Sequence, residues 1–176
     1  MFARNVEIRI GLQIMTGNTH PEIDRFRVAA ENFIQTVDSA NACEREVFLT
    51  RLSHSLAELY SRALDLPGVE PDTASIEETP FSTEEWAALC DSLRSKIGPL
   101  DTYWKIFDST ANEPPVQGSL SGDISEIYSD LKHALRLENT GISDPDLLWE
   151  LRFSFRSHWG KHLLGALAAI HDRHVE

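Results

Sequence analysis

Between Pro21 and Asp38 the apolar positions fall three or four residues apart, at Phe26, Ala29, Ala30, Phe33, Ile34 and Val37. That is the period of one helix face, so the pattern predicts a helix over this stretch. Val47, Leu49, Leu52, Leu56, Leu59, Tyr60 and Ala63 extend the same spacing and predict a second helix from about Ala42 to Leu66, which Pro67 and Gly68 end. Ser82 followed three positions later by Glu85 is a capping-box signal for a third helix reaching about Ile97. Ile124, Ile127, Leu131 and Ala134 mark a helix from about Ser121 to Glu138, stopped at "NTG". The final helix opens with Asp144 as N-cap and Pro145 at the first helical position, and runs to about His171.

The intervening segments carry weaker signals. Residues 1–20 alternate loosely at Val6, Ile8, Ile10 and Leu12, which fits a leader, disordered or forming a short strand. Residues 67–81 hold three prolines and no period, an exposed loop. The stretch "LDTYWKIFD" is read as a short helix with Tyr103, Trp104 and Phe107 on one side. With no internal repeat or linker, the expected architecture is all-α: a single-domain bundle of five to seven helices over residues 21–176.

Composition narrows the function classes. A chain of 176 residues, 41% hydrophobic and 25% charged, suffices for one core. Its net charge of −12 opposes binding to nucleic acid or an anionic membrane surface, so no nucleic-acid or membrane partner is expected. Residues 63–93 contain eight Asp or Glu and no Lys or Arg. They form either a solvated loop and helix start or a docking surface for a basic partner. Cys43 and Cys90 are far apart and lack CxxC spacing, as expected for reduced thiols. "VEIRIGLQIM" is broken by Glu7, Arg9 and Gln13, so it suits neither a signal peptide nor a membrane span. Together these predict a cytoplasmic, bacterial protein.

The candidate chemistry lies in the last two helices. On a helical wheel, Leu148, Leu151, Phe155, Trp159, Leu163, Ala166 and Ile170 form an inward stripe. His158 and His162 fall on one shoulder of it, and Arg152 and Arg156 on the other. Such side chains near a core need partners, because an unpaired buried charge costs several kcal/mol, on the order of a whole domain's stability. Asp123 and Asp130, seven apart on the preceding helix, form an acidic column flanked by Glu126 and His133. Antiparallel packing would bring that column to either the arginines or the histidines.

His158 and His162, at i and i+4, could chelate one divalent metal with Asp123 or Asp130 contributing, although the stronger HExxH signature is absent. The competing reading is a set of histidines hydrogen-bonded within a helix interface. Trp149, Phe153, Phe155 and Trp159 would more simply be core than a ring-binding pocket. Gly160 inside a helix implies a close approach, for which the "YWKIFD" segment is the candidate neighbour. No GxSxG, P-loop or dinucleotide fingerprint occurs, and no cysteine stands beside a histidine at recognisable spacing.

Four blocks, "LYSRALDLPGVEP", "YWKIFD", "GSLSGDISEIYSDLK" and "WELRFSFRSHWGKH", in order over about residues 22–172, resemble a bacterial family known as domain of unknown function 5063. The resemblance implies an all-helical cytoplasmic protein without an established activity. It marks Tyr103, Trp104, Phe107, Asp108, Ser119, Leu120, Asp123, Tyr128, Asp130, Leu131, Trp149, Phe153, His158, Trp159, Gly160 and His162 as pattern positions. The chain departs from the pattern at Gly68, Ser109 and Leu151. The leading expectation is a binding module for a protein partner, with an Arg/His/Asp network between the last two helices. Its candidate residues are Tyr103, Trp104, Asp123, Asp130, Arg152, Arg156, His158, Trp159 and His162. The alternative is a metal-binding protein or metal-dependent enzyme using His158 and His162.

Overall fold

A computed structural model describes residues 20–73, 82–106, 110 and 112–173. Expectations for residues 1–19, for most of the acidic loop before Ser82, and for Phe107 and Asp108 fall outside them. Six α-helices are present among the described residues: α1 (Pro21–Asp38), α2 (Arg45–Leu64), α3 (Thr83–Ile97), α4 (Leu120–Glu138), α5 (Asp144–Ser154) and α6 (Gly160–His171). Between α3 and α4 lies an antiparallel hairpin, β1 (Thr102–Lys105) and β2 (Val116–Ser119), with Tyr103 opposite Gly118.

The helices follow their apolar stripes. Phe26, Ala29, Ala30 and Phe33 of α1 and Leu52, Leu56 and Leu59 of α2 are buried, and the two helices pack together. Helix α4 contributes Ile124, Ile127 and Leu131 to the same core and packs against both α3 and α6. The inward stripe of the last two helices is buried at every position from Leu148 to Ile170 that the wheel selects. The expected capping box is present at Ser82 and Glu85, α4 ends at its C-cap Asn139, and Gly141 turns the chain beyond it with φ near +78°. Ser143, rather than Asp144, caps α5, accepting from the Asp146 backbone N–H and placing Pro145 in the first turn. None of the helices among the described residues is long and apolar enough to cross a membrane.

Two elements depart from the expected bundle. The fold is mainly helical but not purely all-α, because "TYWK" is a strand and not the short helix read from "LDTYWKIFD". Tyrosine, tryptophan and isoleucine close together favour a pleated half-buried surface, and Pro114 and Pro115 break the chain before the returning strand. The hairpin is anchored at Asp101, whose carboxylate accepts from the Ser121 backbone N–H at 2.7 Å and the Ser119 hydroxyl at 3.0 Å. That carboxylate also satisfies the N-terminus of α4, where negative charge is favoured. At the same end of β1, the Arg173 guanidinium donates to the Leu100 and Thr102 carbonyls.

The second departure is that the last helix is not continuous. Phe155–Trp159 forms a π turn between α5 and α6, in which the Gly160 N–H donates to the Phe155 carbonyl five residues back. Trp159 Nε1 likewise reaches back five residues to Ser154 Oγ, at 3.0 Å.

Candidate functional site

Strand periodicity decides what the hairpin delivers. Alternate residues of a strand share a face, so Tyr103 and Lys105 turn inward while Trp104 is 70% exposed on the other side. Both inward side chains end at Asp123 of α4: the Tyr103 hydroxyl donates to Oδ2 and Lys105 Nζ donates to Oδ1 at 3.1 Å. From α6, His162 Nδ1 meets Oδ1 at 2.7 Å. A carboxylate only accepts, so this nitrogen carries the proton. Asp123, with only 5% of its side chain exposed, therefore joins three elements.

One helical turn earlier, His158 Nδ1 repeats the arrangement with Asp130 at 2.8 Å, and its Nε2 lies 4.0 Å from Glu126. The two imidazoles meet edge to face, with centroids 4.9 Å apart. The acidic column thus meets the histidines, and each of its two aspartates takes one ring.

The electrostatics follow from the geometry. Burial by itself pushes the Asp123 carboxyl upward, but donation from His162, Tyr103 and Lys105 outweighs it and holds the group below its ordinary value. The Tyr103 hydroxyl is driven well above its usual range, first by burial and then by the adjoining carboxylate. It remains a donor at any pH the protein would meet.

Glycines make room for this tyrosine. A Cβ on Gly118 would lie 2.8 Å from the Tyr103 ring, and one on Gly165 would lie 2.5 Å from its hydroxyl oxygen. Gly165 of α6 is therefore the glycine against which the "YWK" segment packs. Gly160, expected in that role, instead serves the π turn: a Cβ there would strike the Phe155 carbonyl and ring.

The arginines do not join the aspartates. Arg152 donates to the Leu66 carbonyl at 3.2 Å and lies on Gly68, where a Cβ would come within 2.7 Å of its Nη1. Arg156 is exposed and meets no carboxylate among the described residues. Both line a groove of about 660 Å³ with Gly68, Val69, Glu70, Trp149, Phe153 and Ser157. Here the Trp149 and Phe153 rings stack at 4.9 Å with planes 5° apart. These two aromatics are partly open to solvent rather than core, whereas Trp159 is 1% exposed and belongs to the core.

Of the residues selected from sequence, Tyr103, Asp123, Asp130, His158 and His162 come together. Arg152 and Arg156 form a separate face, and Trp104 belongs to neither. Lys105 was missed, although period-two reading of "TYWKI" would have placed it beside Tyr103. Among the described residues, no three His, Cys, Asp or Glu side chains are grouped as a cation site.

No curated protein matches the chain. Among solved structures it is similar to the crystal structure of protein BF1032 from Bacteroides fragilis, at 24% identity and a TM-score of 0.74, over 86% of this chain and 91% of that one. At that identity the likeness concerns the fold. The family model described as "Domain of unknown function (DUF5063)" matches residues 18–176, and the chain belongs to that family.

Proposed function

We propose that this protein is a non-catalytic binding module that engages an anionic partner through the groove at Arg152 and Arg156. What supports the reading is where the reactive side chains are spent. Asp123 is occupied by three donors from its own chain, and Asp130 by His158. The network ties β1, α4 and α6 together, which is a scaffold's task. Arg156, by contrast, has no acidic partner among the described residues, in a chain where acids outnumber bases 28 to 16.

Charge reversal at both arginines tests this. A bound partner is expected to be lost from R152E/R156E and retained by a D123N variant of comparable fold. Retention of that partner by R152E/R156E refutes the assignment.

A second reading keeps His158 and His162 as ligands of a divalent ion. It is favoured by the carboxylate at each Nδ1, the arrangement that commonly orients ligating histidines. Metal analysis of untagged protein, with thermal melts in Zn²⁺, Mn²⁺ and Fe²⁺, decides it; no stoichiometric metal and no shift ends this reading.

A further inference from the structure

We infer that the groove between the 66–70 loop and the α5–π-turn face is a pocket for a small organic anion, one in which a flat ring carries a phosphate or carboxylate. This rests on the groove being the binding face and names what fills it. Its volume, about 660 Å³, lies within the range of small-molecule sites and far exceeds a single ion.

The lining divides into two chemistries. The Trp149–Phe153 stack supplies an apolar wall, and Phe153 remains 52% exposed even though its ring is already paired on one side. A free aromatic face of this kind accepts another flat ring, by offset stacking. One turn along the same helical run, Arg152 and Arg156 stand at i and i+4 and therefore share a side.

Arg152 is fixed by its bond to the Leu66 carbonyl and by its seat on Gly68, which uses few of its five donors. Its guanidinium is thus pre-positioned and still able to donate. Arg156 adds a second planar fork with no internal partner among the described residues, and such forks match the paired oxygens of phosphate or carboxylate. Among the described residues, neither arginine lies over an aromatic ring within cation–π range. The ring wall and the cations therefore stay separately available to one ligand. Glu70, at the loop edge of the groove, disfavours a purely anionic occupant such as a polyphosphate chain lying along its whole length.

The test is a nuclear magnetic resonance titration of the full chain with adenosine monophosphate and with indole-3-acetate. Adenosine and inorganic phosphate serve as the ring-only and anion-only probes. Saturable shifts are expected at residues 68–70 and 149–157 with at least one ring-bearing anion, and about tenfold weaker binding is expected for each single-function probe. R156Q, at an exposed position without an acidic partner among the described residues, should fold normally and weaken the ring-bearing anion about tenfold, and F153A should do the same.

No saturable binding by either ring-bearing anion overturns the inference, as do shifts located elsewhere, indifference to R156Q, or phosphate or adenosine binding as tightly as the ring-bearing anion. If a macromolecular partner is still lost on R152E/R156E while these probes fail, the binding-module reading stands and only the ligand class falls.

Discussion

Replacing Gly165 with alanine should destabilise the protein, against the ordinary trend for a helix interior. Alanine is normally favoured there by about 1 kcal/mol. At this position, however, the added Cβ would lie 2.5 Å from the Tyr103 hydroxyl oxygen and 3.6 Å from Asp123 Oδ2. The hydroxyl must withdraw, leaving a buried carboxylate with one donor fewer. A hydrogen bond to a charged group contributes about 1.5–3 kcal/mol, so after the helix gain the net loss is about 0.5–2 kcal/mol. In a Y103F background the obstructing oxygen is gone and the next ring atom, Cζ, stands at an ordinary 3.6 Å. There, G165A should be neutral or stabilising by up to about 1 kcal/mol.

The two substitutions are thus coupled by about 1.5–3 kcal/mol, readable from urea titrations as midpoint shifts at constant m-value. G118A is the control. Its Cβ would meet ring carbons at 2.8 Å, which phenylalanine retains, so its cost should persist in both backgrounds. If G165A stabilises the natural protein, or costs the same with and without the Tyr103 hydroxyl, the threading of this tyrosine between two glycines is wrong.

Two further outcomes follow from the same geometry. Because Asp123 is held below its ordinary pKa in the folded state, its contribution should be complete above the unfolded value, about 3.9, and fade as pH falls through the lower folded value. The stability gap between the natural protein and D123N, measured by denaturant titration, should therefore be largest near neutrality and narrow in acid. A gap that widens in acid contradicts the assignment. G160A should cost about 1–3 kcal/mol, because its Cβ would collide with the Phe155 carbonyl that the residue's own N–H engages. Thermal melts read this directly, and a raised melting temperature would show that the π turn is dispensable.

Much of this fold is legible from periodicity, and the exceptions have identifiable causes. Phe26 to Val37 keep a strict helical spacing, and a helix with one apolar stripe has only one way to bury it. The "TYWK" strand escaped because four residues are too few to separate a period of two from one of 3.6, and aromatic residues suit both. Its misreading also hid Lys105.

The Asp123 and Asp130 column was visible because both carboxylates border an otherwise apolar face. Periodicity leaves open whether the arginines or the histidines meet them, because a wheel drawn at a constant 100° assumes an unbroken helix. The π turn inserts extra arc between Arg152 and His162, and no composition signal marks it except Gly160. That glycine was read as a sign of crowding, which it is, although the crowding comes from its own helix.

A π turn is geometrically one residue too many, so it works as a phase adjuster between two otherwise regular screws. Removing a single residue from Phe155–Trp159 would restore a plain helix and turn everything beyond it by about 100° relative to α5. His162 would swing off Asp123 while Arg152 kept its seat on Gly68. The angle between the His162–Asp123 contact and the arginine-lined groove is therefore set by one supernumerary peptide unit.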